Sequence, residues 1–199
     1  MQTRAEVLGL LGGVASGKTF VARVLAEAGL VVLDADEIAR EVLATPELRR
    51  ALLDMLGEGI LKPDGSLDRS RIAARVFGDD EARRGLEALS HPEIRRRLVT
   101  RMEEAVLAGK WVVLDAPLLL ESGLIERCDH VVFLDVPAEL RRERALARGM
   151  SPADWQEREA AQADLQVKRS RADFVIGNEG GPEVTRARIR DLLTRIRDG

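Results

Sequence analysis

Residues 9–19 read GLLGGVASGKT, and within them Gly12, Gly17, Lys18 and Thr19 fit the pattern G-x-x-x-x-G-K-[ST]. Such a loop cradles phosphate. Its glycines let the backbone approach an anion closely, with several N–H groups pointing inward. The helix that follows, expected to begin near Gly17, adds unpaired N–H groups and its positive dipole end. Gly12, Gly13, Val14, Ala15, Ser16 and Gly17 therefore form the expected nucleotide-binding loop. Lys18 would reach the β- and γ-phosphates, and the Thr19 hydroxyl would ligate Mg²⁺. The motif lies between a β-rich run and an amphipathic stretch, the context that such a loop requires. It identifies a triphosphate site without saying which group receives the phosphate.

Carboxylates suggest the acceptor side. In VVLDADEIA, Asp34 and Asp36 flank Ala35 at the end of the second apolar run. If both lie on the strand, they point the same way into the crevice at the strand carboxyl ends. There a carboxylate can accept a proton from an attacking hydroxyl or help to hold hydrated Mg²⁺. Equally, one of the pair can cap a helix beginning near Glu37, since Asp is a favoured cap. Asp115 ends WVVLDAP, where an acid can support the metal directly or through water, or simply make a turn.

These groups need a scaffold. Candidate strands are 6–11, 30–33, 111–116, 130–136 and 173–178; their continuous Val, Leu and Ile content predicts a parallel sheet buried on both faces. Val21, Val24, Leu25 and Ala28 keep helical spacing after the first strand, as do Ile189, Leu192, Leu193 and Ile196 near the end. The alternation implies an α/β fold, an open parallel sheet of about five strands with helices on both faces. The 199 residues suit a single domain. Two segments exceed ordinary crossover length: about 37–108, helical but interrupted at 57–68, and the charged stretch 137–172.

Composition narrows the function further. A net charge of −3 disfavours general nucleic-acid binding, which leans on a basic surface. The single cysteine, Cys128, cannot form an internal disulfide and is read as a packing residue. No apolar run approaches the roughly 18 residues of a membrane span, and the N-terminus has no signal-peptide pattern, so a cytoplasmic location is expected.

Taken in order, LGLLGGVASGKT, VLDADEIAREV, LSHPEIRRRL, VVLDAPLLLESGL and RADFVIGNEG resemble the successive motifs of the dephospho-CoA kinase family. The resemblance runs from Leu8 to about Gly181. It implies the P-loop nucleoside triphosphate hydrolase fold, with the 37–108 excursion binding the acceptor and 137–172 forming a lid. It also implies ATP as phosphoryl donor, Mg²⁺, and transfer to the ribose 3′-hydroxyl of dephospho-CoA.

Carried over position by position, Asp36 matches the family's general base, with Lys18, Arg144 and Arg148 the other catalytic groups. His91, Pro117, Leu118, Glu121, Gln162 and Lys168 match acceptor-binding positions, and Asn178 matches a loop near the adenine. On residue physics alone the arginines also read as a solvated helix face opposed by Glu139 and Glu143. His91, before Pro92 near an expected helix start, reads equally as a structural hydrogen-bonder, and Glu121 as a salt-bridge partner. His130, opening a strand, reads as structural. Three positions depart from the family pattern. Thr19 stands where Ser is common and Ala15 where Gly is common, while Arg141 replaces a frequent Gln.

The nearest rival is another small-metabolite P-loop kinase, such as a nucleoside-monophosphate or shikimate kinase, which shares the loop but not the later blocks. A GTP switch is disfavoured because IGNEGG lacks the Lys and Asp of N-K-x-D. The expected partner is the small molecule dephospho-CoA, without nucleic acid or membrane, in a monomer or weak homo-oligomer.

Overall fold

A computed structural model describes residues 4–198. Five strands, β1 (Val7–Gly12), β2 (Val31–Asp34), β3 (Val112–Asp115), β4 (His130–Asp135) and β5 (Phe174–Gly177), form one sheet in the order β2-β3-β1-β4-β5. Every pairing is parallel. All five expected strands are present, within a residue or two of their expected ends. β1 sits in the centre and is buried along its whole length, which is why its residues read as an unbroken apolar run.

The chain divides into two compact units. One ends at Asp34 and resumes at Met102; the other is Ala35–Arg101. In the sheet unit, α1 (Lys18–Glu27) and α9 (Pro182–Asp198) pack on each other and on one sheet face. Val21, Val24, Leu25, Ile189, Leu192 and Leu193 meet Leu8, Leu10, Val132 and Leu134 there. Each fully buried aliphatic side chain of this kind contributes about 1.5–3 kcal/mol. Ala28 is the exception to the expected stripe, because α1 has ended and the residue is exposed. The other face receives the turn after β3 and helix α8 (Leu165–Ser170), and Gly9 of β1 lies against Leu119 and Cys128. Between β4 and β5 run α6 (Ala138–Ala147), α7 (Pro152–Ala160) and α8, the stretch expected as a lid.

The second unit is helical. It comprises α2 (Ala35–Leu43), α3 (Pro46–Leu56), α4 (Arg69–Val76) and most of α5 (Asp80–Leu107), which carries the chain back to the sheet unit. Ile38, Val42, Leu48, Leu52, Ile60 and Ile72 are buried. The expected interruption at 57–68 is a 3₁₀ turn followed by a Leu61–Leu67 bridge, closed by Asp68, whose carboxylate accepts from Ser70 N and Arg71 N at the start of α4.

Two sequence readings change here. β2 ends at Asp34 and α2 begins at Ala35, so Asp36 stands in the first turn of a helix. The strand alternation that would have aligned Asp34 with Asp36 does not apply. His91 is not near a helix start but within the 28-residue α5, which continues through Pro92. A proline there removes the N–H that would bond the carbonyl four residues earlier, Ala88.

Candidate active site

The phosphate loop joins β1 to α1, as its spacing requires. Gly17, directly before α1, has φ +94°, and a Cβ there would collide with the Asn178 amide. Ala15 takes a left-handed φ of +59° without the freedom of glycine. Lys18 folds over the loop, its Nζ donating to Gly12 O at 3.1 Å and Gly13 O at 3.3 Å. Burial lowers its pKa; the negative charge of Asp115 opposes that shift and the positive charge of Lys168 adds to it. Thr19, the expected metal-binding hydroxyl, is exposed.

Asp115 is buried at the end of β3 and stands in register beside Asp34 at the end of β2. The two carboxylates thus share the carboxyl edge of the sheet, where α/β folds place their ligands. Pro117 and Leu118 follow in an irregular turn. Leu118 exposes 41% of its surface.

Three further sequence candidates meet around α8. Lys168, only 1% exposed, donates from Nζ to Gln162 Oε1 at 2.7 Å and lies 3.8 Å from Glu121 Oε1. The Glu121 carboxylate also accepts from Ala163 N at 2.6 Å. Burial pushes the Lys168 pKa down, against the pull of Glu121 and Glu159. A buried ammonium held by one amide and one carboxylate retains capacity for an anionic or carbonyl ligand.

Arg144 and Arg148 line a cleft of about 250 Å³ with Gly17, Phe20 and Asn178. Arg144 Nη2 donates to Asn178 O at 2.8 Å, and Arg148 is exposed. Neither forms the Glu-paired helix face that periodicity allowed. Asn178 is buried, donating from Nδ2 to Ser16 O and accepting from Thr185 Oγ1, both at 2.7 Å. Its amide ties the phosphate loop to Thr185 of α9 and keeps a second N–H free of these two bonds.

Asp36 and His91 belong to the helical unit. Two residues that sequence reasoning did not place are Arg141, 3% exposed, and Glu159 of α7. Arg141 Nη1 lies 2.6 and 2.7 Å from the two Glu159 oxygens, and Glu159 Oε2 accepts from Val14 N at 3.1 Å. The departure at position 141 was the one visible signal; nothing local points to its partner eighteen residues on. Cys128 packs against Gly9 of β1, and His130 is paired at the start of β4. Burial pushes the Cys128 thiol up to about 12, and His130 Nε2 pairs with Glu6 Oε2 at 2.9 Å.

Among the described residues no helix is long and apolar enough to cross a membrane. The family model for dephospho-CoA kinase matches residues 6–183. A dephospho-CoA kinase of Geobacter sulfurreducens is 41% identical over 193 residues, covering 96% of this chain and 98% of the relative. The crystal structure of TT1252 from Thermus thermophilus superposes with a TM-score of 0.81 at 33% identity, covering 97% of this chain and 98% of that one. The dephospho-CoA kinase from Campylobacter jejuni shares the fold, with a TM-score of 0.72 at 24% identity over 99% and 100% of the two chains. The chain belongs to the dephospho-CoA kinase family.

Proposed function

We propose that this kinase transfers the γ-phosphoryl group of ATP to the 3′-hydroxyl of the dephospho-CoA ribose, giving coenzyme A and ADP, the last step of coenzyme A synthesis. The observation that carries the reading is a family match that spans both the phosphate loop and the helical unit. A rival acceptor kinase would need only the first of these.

Phosphoryl transfer is governed by positioning and charge neutralisation more than by covalent chemistry. The loop N–H groups and Lys18 hold the donor phosphates. Arg144 and Arg148, beside the loop, neutralise charge on the transferring group while the lid excludes water that would otherwise hydrolyse ATP. Asp36 orients the attacking hydroxyl and receives its proton. Glu121, Gln162, Lys168, Pro117, Leu118 and His91 are the residues that the family resemblance assigns to the acceptor. We assign the segment of about 37–108 to acceptor binding and about 137–172 to the lid.

The residues present also suit Mg²⁺. Thr19 and Asp115 are hard oxygen donors, and Asp115 is close enough to Lys18 to influence its pKa. Among the described residues no group of three or more His, Cys, Asp or Glu side chains could hold a metal ion; Mg²⁺ ordinarily keeps several of its waters. Thr19 and Asp115 would hold the ion, which would supply charge neutralisation at the phosphates. A cytoplasmic monomer or weak homo-oligomer, without nucleic-acid or membrane partners, completes the reading.

The test is a coupled ADP-release assay with dephospho-CoA set against AMP, CMP, adenosine and shikimate. Turnover with dephospho-CoA alone is expected. Turnover confined to one of the other acceptors would overturn the assignment.

A further inference from the structure

A carboxylate of α7 makes a charged contact on the phosphate loop. Glu159 Oε2 accepts the Val14 N–H, one of the loop donors that should face a phosphate. The same carboxylate is bound by Arg141 Nη1 through both oxygens. Arg141 is buried and held in place by its Nε bond to Val136 O at 3.1 Å, with Nη1 also 3.4 Å from Val14 O. The absence of a side chain at Gly13 makes room for this pair. A Cβ there would overlap Arg141 Nη1 and come within 3.0 Å of Glu159 Oε1. A backbone N–H and a guanidinium converging on one oxyanion is the donor set that recognises a phosphate as readily as a carboxylate.

We propose that Glu159 is an internal phosphate surrogate: nucleotide phosphate displaces its carboxylate from Val14 N–H and Arg141, and Arg141 then becomes an additional phosphate-binding residue. This rests on the phosphate-loop reading but not on the identity of the acceptor. The exchange keeps the buried Arg141 paired with an anion in both states, avoiding the cost of an isolated buried charge. α7 is suited to move with Glu159, because none of its residues is buried. Its N-terminus is closed by a Ser151–Asp154 capping box, so the helix can shift as a unit. Trp155, one turn before Glu159, lies over the Arg141 guanidinium at 6.0 Å and so reports on the exchange.

The experiment titrates inorganic pyrophosphate and ADP into the full chain, following calorimetry and Trp155 emission in a Trp111→Phe background. Glu159→Gln keeps the shape and removes the charge. It is expected to bind both ligands roughly tenfold more tightly, the scale of one competing charge-assisted contact. Trp155 emission should shift on adding pyrophosphate to the parent protein and already be shifted in Glu159→Gln without it. Arg141→Gln should weaken pyrophosphate binding by a similar factor. Glu159→Asp, which keeps the charge but shortens the reach, should fall between parent and Gln and serves if the Gln variant folds poorly. Unchanged or weaker binding in folded Glu159 variants overturns the proposal, as does unchanged Trp155 emission or unchanged binding in Arg141→Gln. If pyrophosphate and ADP bind none of the proteins, the phosphate-loop reading falls and this proposal with it; binding that is indifferent to Glu159 removes this proposal alone.

Discussion

The Asn178 side chain ties the loop after β5 to the phosphate loop, donating from Nδ2 to Ser16 O at 2.7 Å while Oδ1 accepts from Thr185 Oγ1. Two chain segments 162 residues apart are thus joined by one buried amide. Asn178→Ala would leave the Ser16 carbonyl and the Thr185 hydroxyl without these partners, at a cost of about 2 kcal/mol or more. Denaturant unfolding should show that loss, together with a several-fold higher KM for ATP. A variant with parental stability and KM would mean that the tie does not position the loop.

Ala15 sits at φ +59° with a Cβ, a conformation that costs an L-residue about 1–2 kcal/mol. Ala15→Gly relieves that strain but gives the unfolded chain more freedom, worth about 0.4–1 kcal/mol in the other direction. A net gain of about 0.5 kcal/mol is expected, read as a higher denaturant midpoint at unchanged slope. A clear loss of stability would contradict the strain.

Cys128 is the only cysteine in the chain, so thiol labelling reports on one site. Burial first, then neighbouring negative charges, raises its pKa from 9.0 to about 12. At pH 8 the native thiolate population should be about a thousandfold below that of the unfolded chain. Alkylation should therefore follow unfolding. The sign for stability runs the same way. The folded thiol holds its proton between pH 9 and 12 while the unfolded one releases it, so this contribution is present below pH 9 and lost as pH rises toward 12. Native labelling as fast as that of a free thiol would refute both expectations.

Lys18 and Asp36 should separate in kinetics. Lys18→Ala removes the loop cation and should cost at least about a hundredfold in kcat/KM. Asp36→Asn should leave the Kd for ATP nearly unchanged and lower kcat, because its interaction is used mainly in the transition state. Unchanged turnover in Asp36→Asn would remove Asp36 from the chemistry.

The sheet and the loop were legible because both are written locally. Continuous Val, Leu and Ile runs mark strands buried on two faces, and the loop pattern sits between β1 and α1. Of the two placements open for Asp36, strand end or helix start, the structure realises the helical one: α2 begins at Ala35 directly after β2 and buries Ile38 and Val42. His91 was misplaced because Pro92 normally signals a helix start, whereas α5 carries it internally. Lys168 was picked out by the family motif, but its burial against Gln162 and Glu121 depends on the packing of α8. The pairing of Arg141 with Glu159 and Val14 was invisible because it links α6, α7 and a loop more than a hundred residues away, beyond the reach of any periodicity.

The atom that receives the phosphate can be read from the product. Phosphorus NMR and mass spectrometry of the reaction of ATP with dephospho-CoA, run beside the 3′-deoxy and 2′-deoxy analogues, locate the new ester. A single 3′-monophosphate is expected, with retained turnover of the 2′-deoxy analogue and none of the 3′-deoxy analogue. A phosphate at any other position, or equal turnover of the 3′-deoxy analogue, would contradict it.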